Sequence, residues 1–222
     1  MAETPTQPPA RRRSACRRER MLDAAACMFA DRGYHGCDVQ VLADELGIGK
    51  GSIYRQFPTK EALFLAAVDR GMRRLHAQIE EARLAVADPL EQLLRGTVAY
   101  LAFFDAHPEF VELFILERAE FKDRKKPTYH EHREVNIIRW QEAYRALMAD
   151  GRLRTMPTER VANVISDLLY GTMFTNRFAG RRQSFERQAW EILDIVFLGI
   201  LTETERARRP LACARAAEET QT

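Results

Sequence analysis

The chain has 222 residues, 34 Lys and Arg against 32 Asp and Glu for a net charge of +2, and 46% hydrophobic residues. That balance excludes a disordered polyelectrolyte and a generic polycation, and the length holds one large domain or two modest ones. The longest apolar run, 192–201, is interrupted by Asp194 and is half of what a membrane span needs, so no membrane role is expected.

Six arginines between Met1 and Arg20 face two acids, Glu3 and Glu19, for a local charge of +4. Such an arm either meets a polyanion or is a solvated leader; residues 1–15 are expected to form a disordered basic arm. From Cys16, Met21, Leu22, Ala25, Met28 and Phe29 recur at helical intervals until Gly33. A short helix follows over 39–46, with Asp38 as N-cap and Gly47 at its end, then a shorter one over 50–57, closed by Pro58. Long helices are expected over 59–84, 89–105, 108–121, 128–149, 157–181 and 184–205, most of them opened by Pro or Ser/Thr. A charged loop, Lys122 to Pro127, lies before the fourth of these. No stretch alternates with period two, so no sheet is expected. The fold class is all-α: a helix-turn-helix domain over 16–60, a helical ligand-binding and dimerisation domain over 61–206, and a flexible tail over 207–222. Four cysteines (Cys16, Cys27, Cys37, Cys213) form no CxxC pair and follow no secretory segment, which reads as reduced thiols in a cytoplasmic protein.

The informative segment is Val39 to Phe57. A helix-turn-helix needs a small residue where its helices cross, and Ala43 is there. Four residues on, the turn needs a left-handed backbone, and Gly47 supplies it. Leu42, Leu46, Ile48, Ile53 and Phe57 seal the small core. On the second of these helices Ile53 and Phe57 point inward, Gly51 and Arg55 the opposite way, and Ser52 and Tyr54 flank them. Gly51 permits close approach to a major groove, Arg55 reaches guanine or phosphate, and Lys50 leads. Tyr54 and Lys60 are placed to meet phosphates.

The run Gly47-Ile-Gly-Lys-Gly-Ser-Ile-Tyr-Arg-Gln-Phe-Pro-Thr-Lys-Glu-Ala-Leu63, with Ala25-Ala-Cys-Met-Phe-Ala-Asp-Arg-Gly-Tyr34 upstream, resembles the signature of the tetracycline-repressor (TetR) family over residues 16–63. The resemblance implies DNA contacts by Lys50, Gly51, Ser52, Tyr54 and Lys60, helped from the start of the preceding helix near Gln40. Three positions depart from the family pattern. Cys37-Asp38 stands where Thr-Thr is usual, and Asp38 is expected to cap rather than touch DNA. Gly49 replaces a Ser or Thr in the turn, and Gln56 a common aromatic.

Beyond residue 63 only the helical layout agrees. The last expected helix (Trp190, Ile192, Leu193, Ile195, Val196, Phe197, Leu198, Ile200, Leu201) is apolar on nearly every side, and the one before it carries a wide stripe from Val161 to Phe174. Helices apolar on two faces need two coverings. They resemble the pair through which the family forms a homodimer, which implies a pseudo-palindromic operator; a monomer with a buried last helix is the alternative. Phe103, Phe104, Phe114, Trp140, Tyr170 and Phe174 each belong first to a core, but together they can line a cavity in which His107, Glu117, Arg118 and Asn136 orient a small apolar or aromatic effector.

Catalysis finds no support: no nucleophile pairs with a base, and no cofactor is implied. His130-Glu131-His132 with Glu134 does not converge on a metal, because His132 points about 200° away from His130 on a helix. Gly47 to Ser52 follows a helix and lacks the spacing of a nucleotide loop. The remaining rival is a DNA-binding regulator without small-molecule sensing: constitutive, an activator, or triggered through Cys27 or Cys37.

Overall fold

The computed structural model describes residues 9–180 and 183–208. Its helices are α1 (Pro9–Gly36), α2 (Val39–Glu45), α3 (Lys50–Tyr54), α4 (Lys60–Leu84), α5 (Pro89–Ala106), α6 (Glu109–Glu120), α7 (Thr128–Ala149), α8 (Thr158–Ala179), α9 (Phe185–Ile200) and α10 (Glu203–Arg208). Among the described residues there is no strand, only one isolated bridge between Leu153 and Leu201. The chain is all-α.

Side-chain caps explain three of the starts. The Asp38, Asp88 and Ser184 side chains accept from the backbone N–H of Gln40, Leu90 and Arg187, satisfying donors that the first turn leaves open. Two elements differ from the sequence expectation. α1 opens at Pro9, ahead of Cys16, so the described part of the basic arm is helical; Gly33 (φ 72°, ψ 170°) breaks it near its end. Residues 1–8 and the tail beyond 208 lie outside the described residues. The last helix stops at Ile200 instead of reaching 205, because Leu201 is extended, bridges to Leu153, and leaves the Ile200 carbonyl to accept from Arg154 N–H. α10 restarts after it.

The helices gather into two compact units, one of residues up to Arg73 with Glu109–His130, the other of Arg74–Pro108 with the residues from Glu131 onward. In the first, Met21, Leu22 and Phe29 of α1, Leu42 and Ala43 of α2, Ile53 of α3, Leu63, Phe64 and Val68 of α4 and Phe110 and Leu113 of α6 are buried together. Arg70 grips Asp23 through two nitrogens at 2.9 Å each and Glu19 at 3.4 Å, tying α4 to α1. Gly71 admits the Phe110 ring, which would lie 2.1 Å from any Cβ at that position.

The second unit buries Leu90, Leu94, Phe103 and Phe104 of α5, Tyr144 and Leu147 of α7, Ile165 and Met173 of α8, and Leu193, Val196 and Phe197 of α9. Two polar devices cross it. Arg152 bonds Asp88 at 2.7 Å and the buried Glu205 at 3.0 Å. Asn176 and Gln188 exchange two amide bonds, 2.7 and 2.9 Å, between α8 and α9.

Candidate nucleic-acid interface

The turn between α2 and α3 is built from backbone bonds. Gly47 N–H donates to the Asp44 carbonyl (3.1 Å) and Ile48 N–H to the Ala43 carbonyl (3.0 Å), the paired closure of a Schellman motif. That closure puts Gly47 at φ 64°, where a side chain is disfavoured although nothing lies within 4 Å of a Cβ there. Ala43 is fully buried at the crossing, as its size requires.

The turn delivers α3 with its two faces sorted. Ile53 and, just past the helix, Phe57 are buried, while Gly51, Tyr54 and Arg55 are exposed. A Cβ on Gly51 would meet nothing within 4 Å, so the backbone is bare on that side. Arg55 donates to Ser52 Oγ at 3.1 Å, holding both side chains together along one edge. These positions supply donors of the kind that base edges and phosphates accept.

The flanking cations are held from behind. Lys60 donates to the His35 carbonyl at 3.3 Å and sits 5.0 Å from the centre of the Tyr34 ring. Lys50 lies 3.7 Å from Asp38. The Asp38 carboxyl falls below its usual range, first through the Gln40 N–H it accepts and then through Lys50. Gln40 is exposed and donates to Asp44 at 2.8 Å. Sequence reasoning did not foresee the support beneath these groups. Tyr34 stacks with Phe29 and edge-on with Phe64 and Phe121, His35 pairs with Glu120 at 2.7 Å, and Arg18 lies over Phe57. These partners are far apart in the chain, and no local pattern links them.

Residues 21–67 match the family described as bacterial regulatory proteins, tetR family. That stretch is similar to the DNA-binding part of TetR-family regulators, and it runs from within α1 to the start of α4. The HTH-type transcriptional repressor KstR2 of Mycolicibacterium smegmatis is 35% identical over 104 residues, which cover 47% of this chain and 46% of that one. FasR of the same organism, a transcriptional activator, is 32% identical over 89 residues, 40% and 41% of the two chains. The chain thus spans less than half the length of these two curated relatives. The solved structure of the ketosteroid transcriptional regulator KstR2 of Mycobacterium tuberculosis superposes with a TM-score of 0.62 at 25% identity, over 84% of this chain and 96% of that one.

The ten side chains expected to bind an effector divide between the two units. In the second, Phe103 and Phe104 meet edge to face at 5.3 Å, and the His107 ring lies 4.9 Å from Phe103 with its Nε2 3.0 Å from an Arg74 nitrogen. Trp140 rests against Gly96, where a Cβ would come within 2.8 Å of the indole. Tyr170 and Phe174 pack edge to face at 5.0 Å, and Asn136 donates to the His132 carbonyl of its own helix. In the first unit Phe114 packs on Tyr129, Arg118 is exposed, and Glu117 is buried. Glu117 Oε1 accepts from the N–H and hydroxyl of Thr128 at 2.9 and 2.8 Å.

Proposed function

We propose that this protein is a homodimeric transcriptional repressor that binds a pseudo-palindromic operator through α3 and is released by a small apolar or aromatic effector. The observation that carries the reading is the sorted α3: a groove-sized face of Gly51, Ser52, Tyr54 and Arg55 on a helix anchored by Ile53 and Phe57. The dimer reading is supported by large apolar side chains exposed on α8 (Val164, Leu168, Phe178) and α9 (Ile195, Leu198), more than a solvated pair of helices needs. The effector reading rests on the aromatic side chains around Phe103 and His107 and on the ketosteroid named for the KstR2 structure. On family analogy, α4 relays effector binding to the reading heads.

Footprinting on the DNA upstream of the gene, across a salt series, tests the core of this. The expected result is one symmetric protected site whose affinity falls steeply with salt and which Tyr54→Ala or Lys50→Ala abolishes. Random protection unaffected by either variant would overturn the helix-turn-helix reading. A panel of apolar and aromatic compounds that never releases the protein from that site would overturn the effector.

A regulator acting as an activator is favoured by one observation, the activator FasR among the relatives; a reporter fused to the footprinted promoter reads the sign. The thiol-triggered alternative is disfavoured. Cys37 is buried, which pushes its thiol pKa up against the pull of Lys60 and Arg32. Cys27 is exposed, yet the protein packed around its sulfur and the carboxylates of Glu109 and Asp23 push it up as well. Thiols raised in this way are poor nucleophiles at neutral pH.

A further inference from the structure

We infer that the α6–α7 loop is a second phosphate-binding element of the DNA-binding unit, gripping the DNA backbone beside Lys60; this rests on the DNA-binding reading above. The loop, Lys122-Asp-Arg-Lys-Lys126, sets four cations against one acid. It belongs to the same compact unit as α1–α3. Lys122, Lys125 and Lys126 are exposed.

The loop is held in place at both ends and in its middle. At its start the Phe121 ring packs 5.1 Å from Tyr34 and 5.4 Å from Phe64, and the neighbouring Glu120 pairs with His35. At its end the buried Glu117 carboxylate accepts from Thr128, and in its middle the same oxygen lies 3.4 Å from Arg124 Nε, which also donates to the Lys126 carbonyl. A buried carboxylate that organises a loop while leaving its lysines outside builds a fixed cationic edge rather than a loose charged tether.

The same Tyr34 ring that receives Phe121 also carries the Lys60 ammonium 5.0 Å from its centre. The loop therefore begins within roughly 10 Å of Lys60, about a Debye length at 0.1 M salt, which lets its lysines and Lys60 act on one stretch of backbone. Phosphates recur along a strand at spacings that adjacent lysines can follow, and such contacts add affinity without sequence preference.

The test uses the full chain on a random-sequence duplex and on the footprinted site, each titrated with salt. The triple variant K122Q/K125Q/K126Q should keep the parent's melting temperature and the same protected site. Its salt dependence should be shallower by about 0.9 for each lysine that neutralises a phosphate, with affinity on both duplexes lowered tenfold or more at low salt. A charge-matched variant of exposed arginines in the other unit, R145Q/R154Q/R160Q, should keep the parent slope. A loop variant with the parent's slope and affinity overturns the loop's role while leaving DNA binding standing. Equal losses from the two triple variants reduce the effect to net charge and also overturn it. A parent protein with no salt-dependent binding to either duplex overturns the DNA-binding reading and the loop together.

Discussion

Two glycines four residues apart in sequence, Gly47 and Gly51, do opposite work. Gly47→Ala forces a side chain into the left-handed region and should lower stability by about 1–2 kcal/mol, read by denaturant unfolding, even though the space around it is open. Gly51→Ala places a methyl on an open helical position and should raise stability by up to about 1 kcal/mol. The same methyl stands on the face proposed to enter the groove, so operator affinity should fall as stability rises. A loss of both together would mean that Gly51 has a packing role instead. His76 offers a third test. Burial, and then the neighbouring His132, push its pKa down to about 4; Glu80 opposes this and Arg139 adds to it. The ring is therefore neutral in the fold, while the unfolded chain takes up a proton near pH 6.5. The contribution is complete above that pH and drains away as pH falls toward 4, at about 1.4 kcal/mol per pH unit. His76→Leu should flatten the stability profile between pH 6.5 and 4 relative to the parent, with little change in its slope above pH 7.

Among the elements, α8 and α9 are the pair proposed to carry the dimer. Ile195 is 74% exposed, so Ile195→Glu should leave the fold within about 0.5 kcal/mol of the parent. Sedimentation should then show a monomer, and a persisting dimer would place the interface elsewhere. Arg152→Ala removes the nearer cation from the buried Glu205, leaving Arg208 at 3.5 Å, and should cost about 1–2 kcal/mol, less than for a fully buried pair because Asp88 faces solvent. The elements also mark where sequence reasoning succeeds and stops. α7 runs from Thr128 to Ala149 as read, and Asp38 and Ser184 cap as read, because capping and periodicity are local physics. The end of α9 escaped because Gly199 lies inside the helix rather than past its end and no Pro follows closely; the cause is Leu153, some fifty residues earlier, and only tertiary pairing brings the two together. The sorting of α3 into a buried and an exposed face was legible because Ala43, Gly47, Ile53 and Phe57 obey fixed offsets within one motif. The Tyr34, His35 and Phe121 support beneath Lys60 was not, since it joins α1, α4 and the end of α6.

For the molecule as a whole, a net charge of +2 leaves little general attraction for DNA, so affinity must come from locally placed cations. A two-fold dimer would double each of them and space its reading helices by about one turn of duplex, roughly 34 Å, or a multiple of it. In that setting the contact between Asp38 and Lys50 acquires a meaning beyond helix capping. A lysine that already carries an internal counter-ion releases fewer salt ions when it meets a phosphate, so the slope of affinity against salt undercounts the contacts made. If Lys50 meets DNA as proposed, Asp38 would act as a placeholder for the DNA backbone, shielding Lys50 from stray polyanions until a well-fitted site displaces it. Asp38→Asn keeps a good cap and removes the placeholder. It should tighten binding to random DNA more than to the operator and steepen the salt dependence, trading discrimination for affinity.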